Sequence, residues 1–122
     1  MSQISLTWST LIALTDNNIE TINNVAGVYR FSKKADDNQY YVFFVGSSDN
    51  IGATLKNHTL PSETNEKLRN FLNQGGDIVF RYAIVEEKNI QLAIEKQMYK
   101  YYLPECNLEE PQSTLEVEAN LN

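Results

Sequence analysis

Two runs of aromatic and β-branched residues dominate the first half of the chain. From Ala26 to Ser32 the residues alternate, with Gly27, Tyr29 and Phe31 on one side and Val28 and Arg30 on the other. From Tyr40 to Gly46 the chain is aromatic and β-branched almost throughout. Successive strand side chains point to opposite faces, so each run predicts a strand. The polar stretch Lys33–Gln39 between them offers Asp36, Asp37 and Asn38 as turn residues, and the pair reads as an antiparallel hairpin with a long loop. A third run, Asp77–Val85, is apolar on both faces, as a central strand covered on both sides would be.

Around these strands the pattern predicts helices. Thr7–Leu14 is apolar and mixed and reads as a short helix, and Thr15–Asn24 as a connection or ragged helical turn. Ser48–His58 reads as a helix capped by Ser48 or Asp49. Gly52 inside it costs about 1 kcal/mol against Ala, so something other than helix propensity must favour glycine there. A further helix begins at Pro61-Ser62, presents Leu68, Phe71 and Leu72 at helical spacing, and stops at Gly75-Gly76. Asn89–Leu103 carries Ile90, Ile94, Gln97, Met98 and Tyr101 as one stripe and ends before Pro104. Beyond Asn107 the chain is acidic and polar and reads as a loose tail. The expected fold is α+β, a three-stranded antiparallel β-sheet flanked by helices. Its expected parts are an N-terminal helical extension over 1–25, a core domain over 26–107 and an acidic tail over 108–122.

Composition narrows the chemistry. A chain of 122 residues with 42% apolar and 21% charged residues suits one globular domain. Its longest apolar runs, such as Val42–Val45 and Ile78–Phe80, are too short to span a bilayer, and no secretory leader opens the chain, so a cytoplasmic protein is expected. For the same reason the glycosylation sequon Asn57-His58-Thr59 carries no weight. One cysteine and one histidine exclude an intrachain disulfide and a His/Cys metal cage. The net charge is −6, and four of the sixteen acids (Glu109, Glu110, Glu116, Glu118) lie in the last fifteen residues, which hold no Lys or Arg. The remaining ten cations and twelve acids are still no basic nucleic-acid-binding profile. Phosphate affinity comes largely from Lys and Arg, so any DNA contact must use a local patch and be weak.

Gly27-Val28-Tyr29, Phe44-Val45-Gly46, His58, Glu95, Pro104 and Asn107, in that order, resemble the GIY-YIG nuclease family. In that family a Gly-Ile-Tyr strand pairs with a Tyr-Ile-Gly strand, the next helix carries an Arg and often a His, and a later helix supplies a Glu followed by a Pro and an Asn. Glu95, Pro104 and Asn107 keep the spacing E-x8-P-x2-N. The resemblance covers residues 26–107 and implies hydrolysis of DNA phosphodiesters with one divalent metal, Mg²⁺ or Mn²⁺. It assigns Tyr29, His58 and Glu95 as catalytic, Glu95 also as the metal ligand, and Asn107 as a contact to substrate; Lys56, a nearby cation on the same predicted helix as His58, is the other expected substrate contact. The chemistry is reasonable on its own terms, since a hard cation takes carboxylate oxygen, clamps a phosphoryl oxygen and acidifies bound water.

Two positions depart from the family pattern. Phe44 stands where the second motif has its tyrosine, and the arginine position, counted from Gly46, falls on Thr54. Losing a donor to the developing charge costs roughly 10²–10³ in rate, so an impaired nuclease is expected. The alternative is a non-catalytic nucleic-acid or protein interaction module on the same fold. Lys56, Arg30 and Arg81 are the cations available to replace the missing arginine, or are plain surface charge. Tyr40, Tyr41, Phe43 and Phe44 either stack bases or fill the core, and Tyr99, Tyr101 and Tyr102 pack the last helix or face a partner.

Overall fold

The computed structural model describes residues 2–122; Met1, the first residue of the expected N-terminal extension, lies outside them. In chain order the elements are β1 (Ser2–Ile4), β2 (Ile12–Ala13), α1 (Asp16–Glu20), β3 (Gly27–Lys34), β4 (Tyr40–Ser48), α2 (Ile51–His58), α3 (Glu66–Asn73), β5 (Ile78–Ile84), α4 (Lys88–Tyr102) and β6 (Val117–Ala119). The main sheet is antiparallel with order β2-β5-β3-β4. The expected hairpin is β3–β4, each strand running two residues further than the pattern suggested. The third expected strand is β5, which pairs with β3 from Gly27 opposite Ile84 to Lys33 opposite Ile78.

The sheet separates two cores. On one face, beneath α1, α2 and α3, lie Ile19, Tyr29, Phe31, Ile51, Leu55 and Leu68 among others. On the other, beneath α4 and β6, lie Val28, Val45, Ala83, Ile94, Met98 and Val117. The two-residue alternation of β3 assigns Tyr29 and Phe31 to the first and Val28 to the second. A register shift sets Phe31 opposite Phe44 but Ser32 opposite Val42. It leaves Phe43 as an extra residue, and Phe43 and Phe44 both pack on the α2–α3 side. Tyr40 and Tyr41 stay exposed, so only half of that aromatic run is core.

Several local expectations are corrected. Residues 7–14 are extended rather than helical. Trp8 bridges Ala83, Ser9 N–H donates to the Tyr82 carbonyl at 2.9 Å, and Leu14 N–H donates to that of Ile78 at 3.0 Å. β2 thereby joins β5 as a fourth strand, and among the described residues of the 1–25 segment the one helix is the single turn α1. The hydroxyl-rich Thr7, Ser9 and Thr10 are poor helix formers, and β5 offers their backbone an open edge. α2 is capped by Asn50, whose side chain accepts from Ala53 N–H, and α3 begins at Glu66 with Asn65 as its cap, not at Pro61-Ser62. Gly52 is explained by close approach, because a Cβ there would run into the Ile22 carbonyl oxygen. On α4 the inward side is Gln91, Ala93, Ile94 and Met98, while Tyr101 is 70% exposed.

The tail is also built in rather than loose. β6 pairs in parallel with β1, Ser2 opposite Val117 and Ile4 opposite Ala119. Gln97 on α4 reads the strand backbone, accepting from Ala119 N–H at 2.9 Å and donating to its carbonyl at 3.0 Å. Asn120 makes the same paired contact with Leu6, and Trp8 Nε1 donates to the Asn120 carbonyl at 2.8 Å.

Candidate functional site

The first motif strand supplies Tyr29, which is 2% exposed. Its register partner across the hairpin is Gly46, the last residue of the second motif. The ring lies directly over that glycine, since a Cβ on Gly46 would collide with Tyr29 Oη and Cζ. The two glycine-bearing motifs are thus one packing unit: the second leaves the gap that the tyrosine of the first occupies. Tyr29 Oη reaches His58 Nε2 at 2.8 Å, and His58 Nδ1 lies 2.6 Å from Glu63 Oε1. Burial, first, and then the charges of Glu95 and Glu63 raise the pKa of the phenol, which therefore stays protonated at neutral pH. Phe44 closes the aromatic side of this group, its ring 6.3 Å from that of Tyr29 and edge-on to His58 at 5.2 Å.

Glu95 comes from the opposite face of the sheet. It sits on α4, and its Oε1 accepts a hydrogen bond of 2.7 Å from Ser47 Oγ, one residue past Gly46. Burial raises its pKa, with the Ser47 bond acting the other way. Among the described residues the one carboxylate within 4 Å of a cationic or imidazole nitrogen is Glu63, beside His58, so no cation neutralises Glu95. A partly desolvated carboxylate without a counter-charge is costly to keep. Among the described residues no group of three or more His, Cys, Asp or Glu could by itself cage a metal. Glu95 by itself is a single carboxylate donor, which a hard divalent cation of the Mg²⁺ type can take, since such an ion is held by one or two carboxylates and otherwise by water and substrate phosphate.

The remaining sequence candidates fare differently. Thr54 shares a face of α2 with His58, four residues on. Its Oγ1 is 2.6 Å from Ser48 Oγ, so the family's arginine position is filled by a hydroxyl pair. Lys56 is exposed and lies two residues from both Thr54 and His58, on the other side of α2; the fold does not bring it to the site. Arg30 is on the α4 side of β3, 4% exposed, with its guanidinium carbon 4.5 Å from the Trp8 ring centroid and 5.1 Å from that of Tyr102. Arg81, opposite Arg30 in the sheet, donates from Nε to the Ser9 carbonyl at 2.7 Å. Neither arginine can stand in beside Tyr29.

Asn107, expected to touch substrate, is committed to the backbone. Its Oδ1 accepts from Val45 N–H and its Nδ2 donates to the Val45 carbonyl, both at 2.9 Å. It thereby fastens the free edge of β4 beside Gly46. Asn107→Ala should therefore lower stability by about 1–3 kcal/mol, visible in urea unfolding. A loss of DNA affinity with unchanged stability would return Asn107 to a substrate role. Glu63 and Ser47 contact the candidate residues His58 and Glu95 and are not among those that sequence reasoning singles out. Glu63 follows His58 by five residues through an irregular turn, where no periodicity signals contact; Ser47 carried no signal beyond following the motif glycine.

Neither a protein-family model nor a curated protein sequence matches the chain. Among solved structures the chain is similar to the GIY-YIG N-terminal endonuclease domain of UvrC from Thermotoga maritima, a tyrosine-to-phenylalanine point mutant bound to the catalytic divalent cation. The TM-score is 0.59 at 15% identity, over 76% of this chain and 93% of that one. At that identity the likeness speaks for the fold, which here is a divergent GIY-YIG fold.

Proposed function

We propose that this divergent GIY-YIG fold is a weak, metal-dependent phosphodiesterase acting on DNA, with Tyr29, His58 and Glu95 as its working residues. The observation that carries the reading is the placement of Tyr29. Its hydroxyl lies 2.8 Å from His58 Nε2, its register partner across the hairpin is Gly46, and the next residue, Ser47, holds the Glu95 carboxylate. Glu95 would hold a Mg²⁺ or Mn²⁺ ion, which when bound supplies Lewis acidity toward a phosphoryl oxygen. The chain's own groups do the rest. Ser47 orients the Glu95 carboxylate, and Tyr29 passes its phenolic proton to His58 Nε2, which is within hydrogen-bonding distance, as it takes a proton from the attacking water.

Weakness follows from what the site lacks. Thr54 offers no guanidinium to the charge that develops on phosphate, and Phe44 offers no hydroxyl beside His58. Supplying both groups is the direct test. Phe44→Tyr/Thr54→Arg should raise plasmid nicking about 10²-fold or more, more than additively because both groups serve one transition state, and adding Glu95→Ala should remove the gain. A folded double variant that stays inert would move the reading to the second one, a non-catalytic module. The specific observations on that side are the hydroxyl pair at Thr54 and the commitment of Asn107 to Val45.

The acidic balance sets an expectation for binding as well. Duplex DNA should bind weakly, with a shallow dependence of log affinity on log salt, because each neutralised phosphate contributes a slope of about −0.9 and few cations are available. Fluorescence anisotropy across a salt series reads this; tight binding that ignores salt contradicts it.

A further inference from the structure

His58 is gripped at both ring nitrogens. Nε2 faces Tyr29 Oη at 2.8 Å and Nδ1 faces Glu63 Oε1 at 2.6 Å. Both His58 and Glu63 are largely shielded, with side chains 14% and 13% exposed. An ionised carboxylate has no proton to give, so the hydrogen on the His58–Glu63 bond belongs to Nδ1. In the neutral ring Nε2 is then left as an acceptor, and the Tyr29 hydroxyl must be the donor toward it.

The loop that carries Glu63 is fastened for this purpose at several points. Glu63 N–H donates to the Leu60 carbonyl at 3.1 Å, and Arg69 Nη1 on α3 donates to the Glu63 carbonyl at 2.9 Å. Asn65 ends the loop by capping α3 through Leu68 N–H at 3.0 Å and by donating to the Cys106 carbonyl at 2.8 Å. Arg69 is the obvious counter-ion for Glu63, yet it takes the backbone oxygen and leaves the carboxylate to His58. Among the described residues Glu63 makes no other ion pair.

We propose that Glu63 is a positioning residue that fixes His58 in the Nδ1–H tautomer, so that Nε2 is ready to receive the Tyr29 proton. The inference rests on the reading of Tyr29 as the proton-relay group, and it adds a residue that the motif pattern does not contain. The relay balances. A proton from the attacking water passes to the Tyr29 oxygen as the phenolic proton passes to Nε2. The result is a neutral tyrosine, a hydroxide equivalent and an imidazolium held against the Glu63 carboxylate. A carboxylate behind the imidazole stabilises that imidazolium and keeps the ring from turning its N–H toward Tyr29.

His58 is the chain's one histidine, so its ring nitrogens can be read without assignment ambiguity in a ¹⁵N-histidine sample. At about pH 8.5, well above the usual histidine range, the folded wild type should show a protonated Nδ1 and a bare Nε2. Tyr29→Phe should keep that tautomer, because Glu63 sets it. Glu63→Gln should shift the ring toward Nε2–H or a mixture, because a side-chain amide can also donate to Nδ1. Glu63→Asp should restore Nδ1–H at least in part. In the nicking assay Glu63→Gln should lower kcat about 10²-fold with little change in KM. An Nε2–H ring or a doubly protonated ring in the wild type overturns the proposal without needing any variant to fold, and so does a folded Glu63→Gln variant with an unchanged tautomer. Absence of nicking in every sample, with the tautomers as expected, would instead sink the phosphodiesterase reading and leave the positioning role of Glu63 standing.

Discussion

Glu95→Gln should remove metal-dependent nicking while leaving the protein at least as stable as the wild type. The amide keeps the length of the side chain, and its oxygen can still accept from Ser47 Oγ, so the local packing survives. What disappears is the charge. Burial has raised the Glu95 pKa above its ordinary value of 4.5. The folded state therefore holds that proton more tightly than the unfolded chain does. The resulting stability is fully present at pH below 4.5 and is lost as pH rises through the raised folded value. At neutral pH the ionised carboxylate is a net burden on folding, and the amide relieves it. A Tm difference in favour of Glu95→Gln should open as pH climbs out of the carboxylate range. Nicking should fall at least about 10²-fold. An active Glu95→Gln variant, or one destabilised at neutral pH, would mean that Glu95 is held for packing rather than for a cation.

Gly46→Ala should lower the stability of the fold through the site itself. The added methyl would run into Tyr29 Oη and Cζ. That ring cannot easily swing away, because it is 2% exposed, hydrogen-bonded to His58, and packed 5.7 Å from the Phe31 ring. Overpacking of this kind typically costs about 1–3 kcal/mol, sometimes more. For a domain of this size that lowers Tm by roughly 5–15 °C. Tyr29→Phe removes one of the two colliding atoms, so Gly46→Ala/Tyr29→Phe should lose less than the sum of its parts. An unshifted Tm in Gly46→Ala would show that Tyr29 does not lie over the second motif, and the site as described would go with it.

The parts of this molecule that were legible in the sequence are those where periodicity and motif spacing agree. The β3 alternation separates Tyr29 from Val28 and Arg30, and the structure keeps them on opposite faces. The spacing from Glu95 through Pro104 to Asn107 returns the chain to Gly46, where Ser47 meets Glu95 and Val45 meets Asn107. Legibility failed where a contact has no periodic signature. The motif position of Asn107 does not say whether its amide faces solvent or, as here, pairs with the backbone of a strand edge. Composition also misled: the acidic tail hides the strict alternation Leu115-Glu116-Val117-Glu118-Ala119, whose inward members Val117 and Ala119 are buried beneath α4. Residues 7–14 were ambiguous for a different reason. Their backbone follows the open edge of β5, a tertiary preference that a short segment does not encode.

The central claim is that Tyr29, His58 and Glu95 form one metal-dependent site. Nicking of supercoiled plasmid under single-turnover conditions, with Mn²⁺ and then with chelator, tests it most directly when the wild type is run beside Glu95→Gln. The account predicts slow nicking by the wild type that stops on chelation and is absent from the folded variant. Equal nicking by both proteins, or none by the wild type even at saturating Mn²⁺, would contradict it.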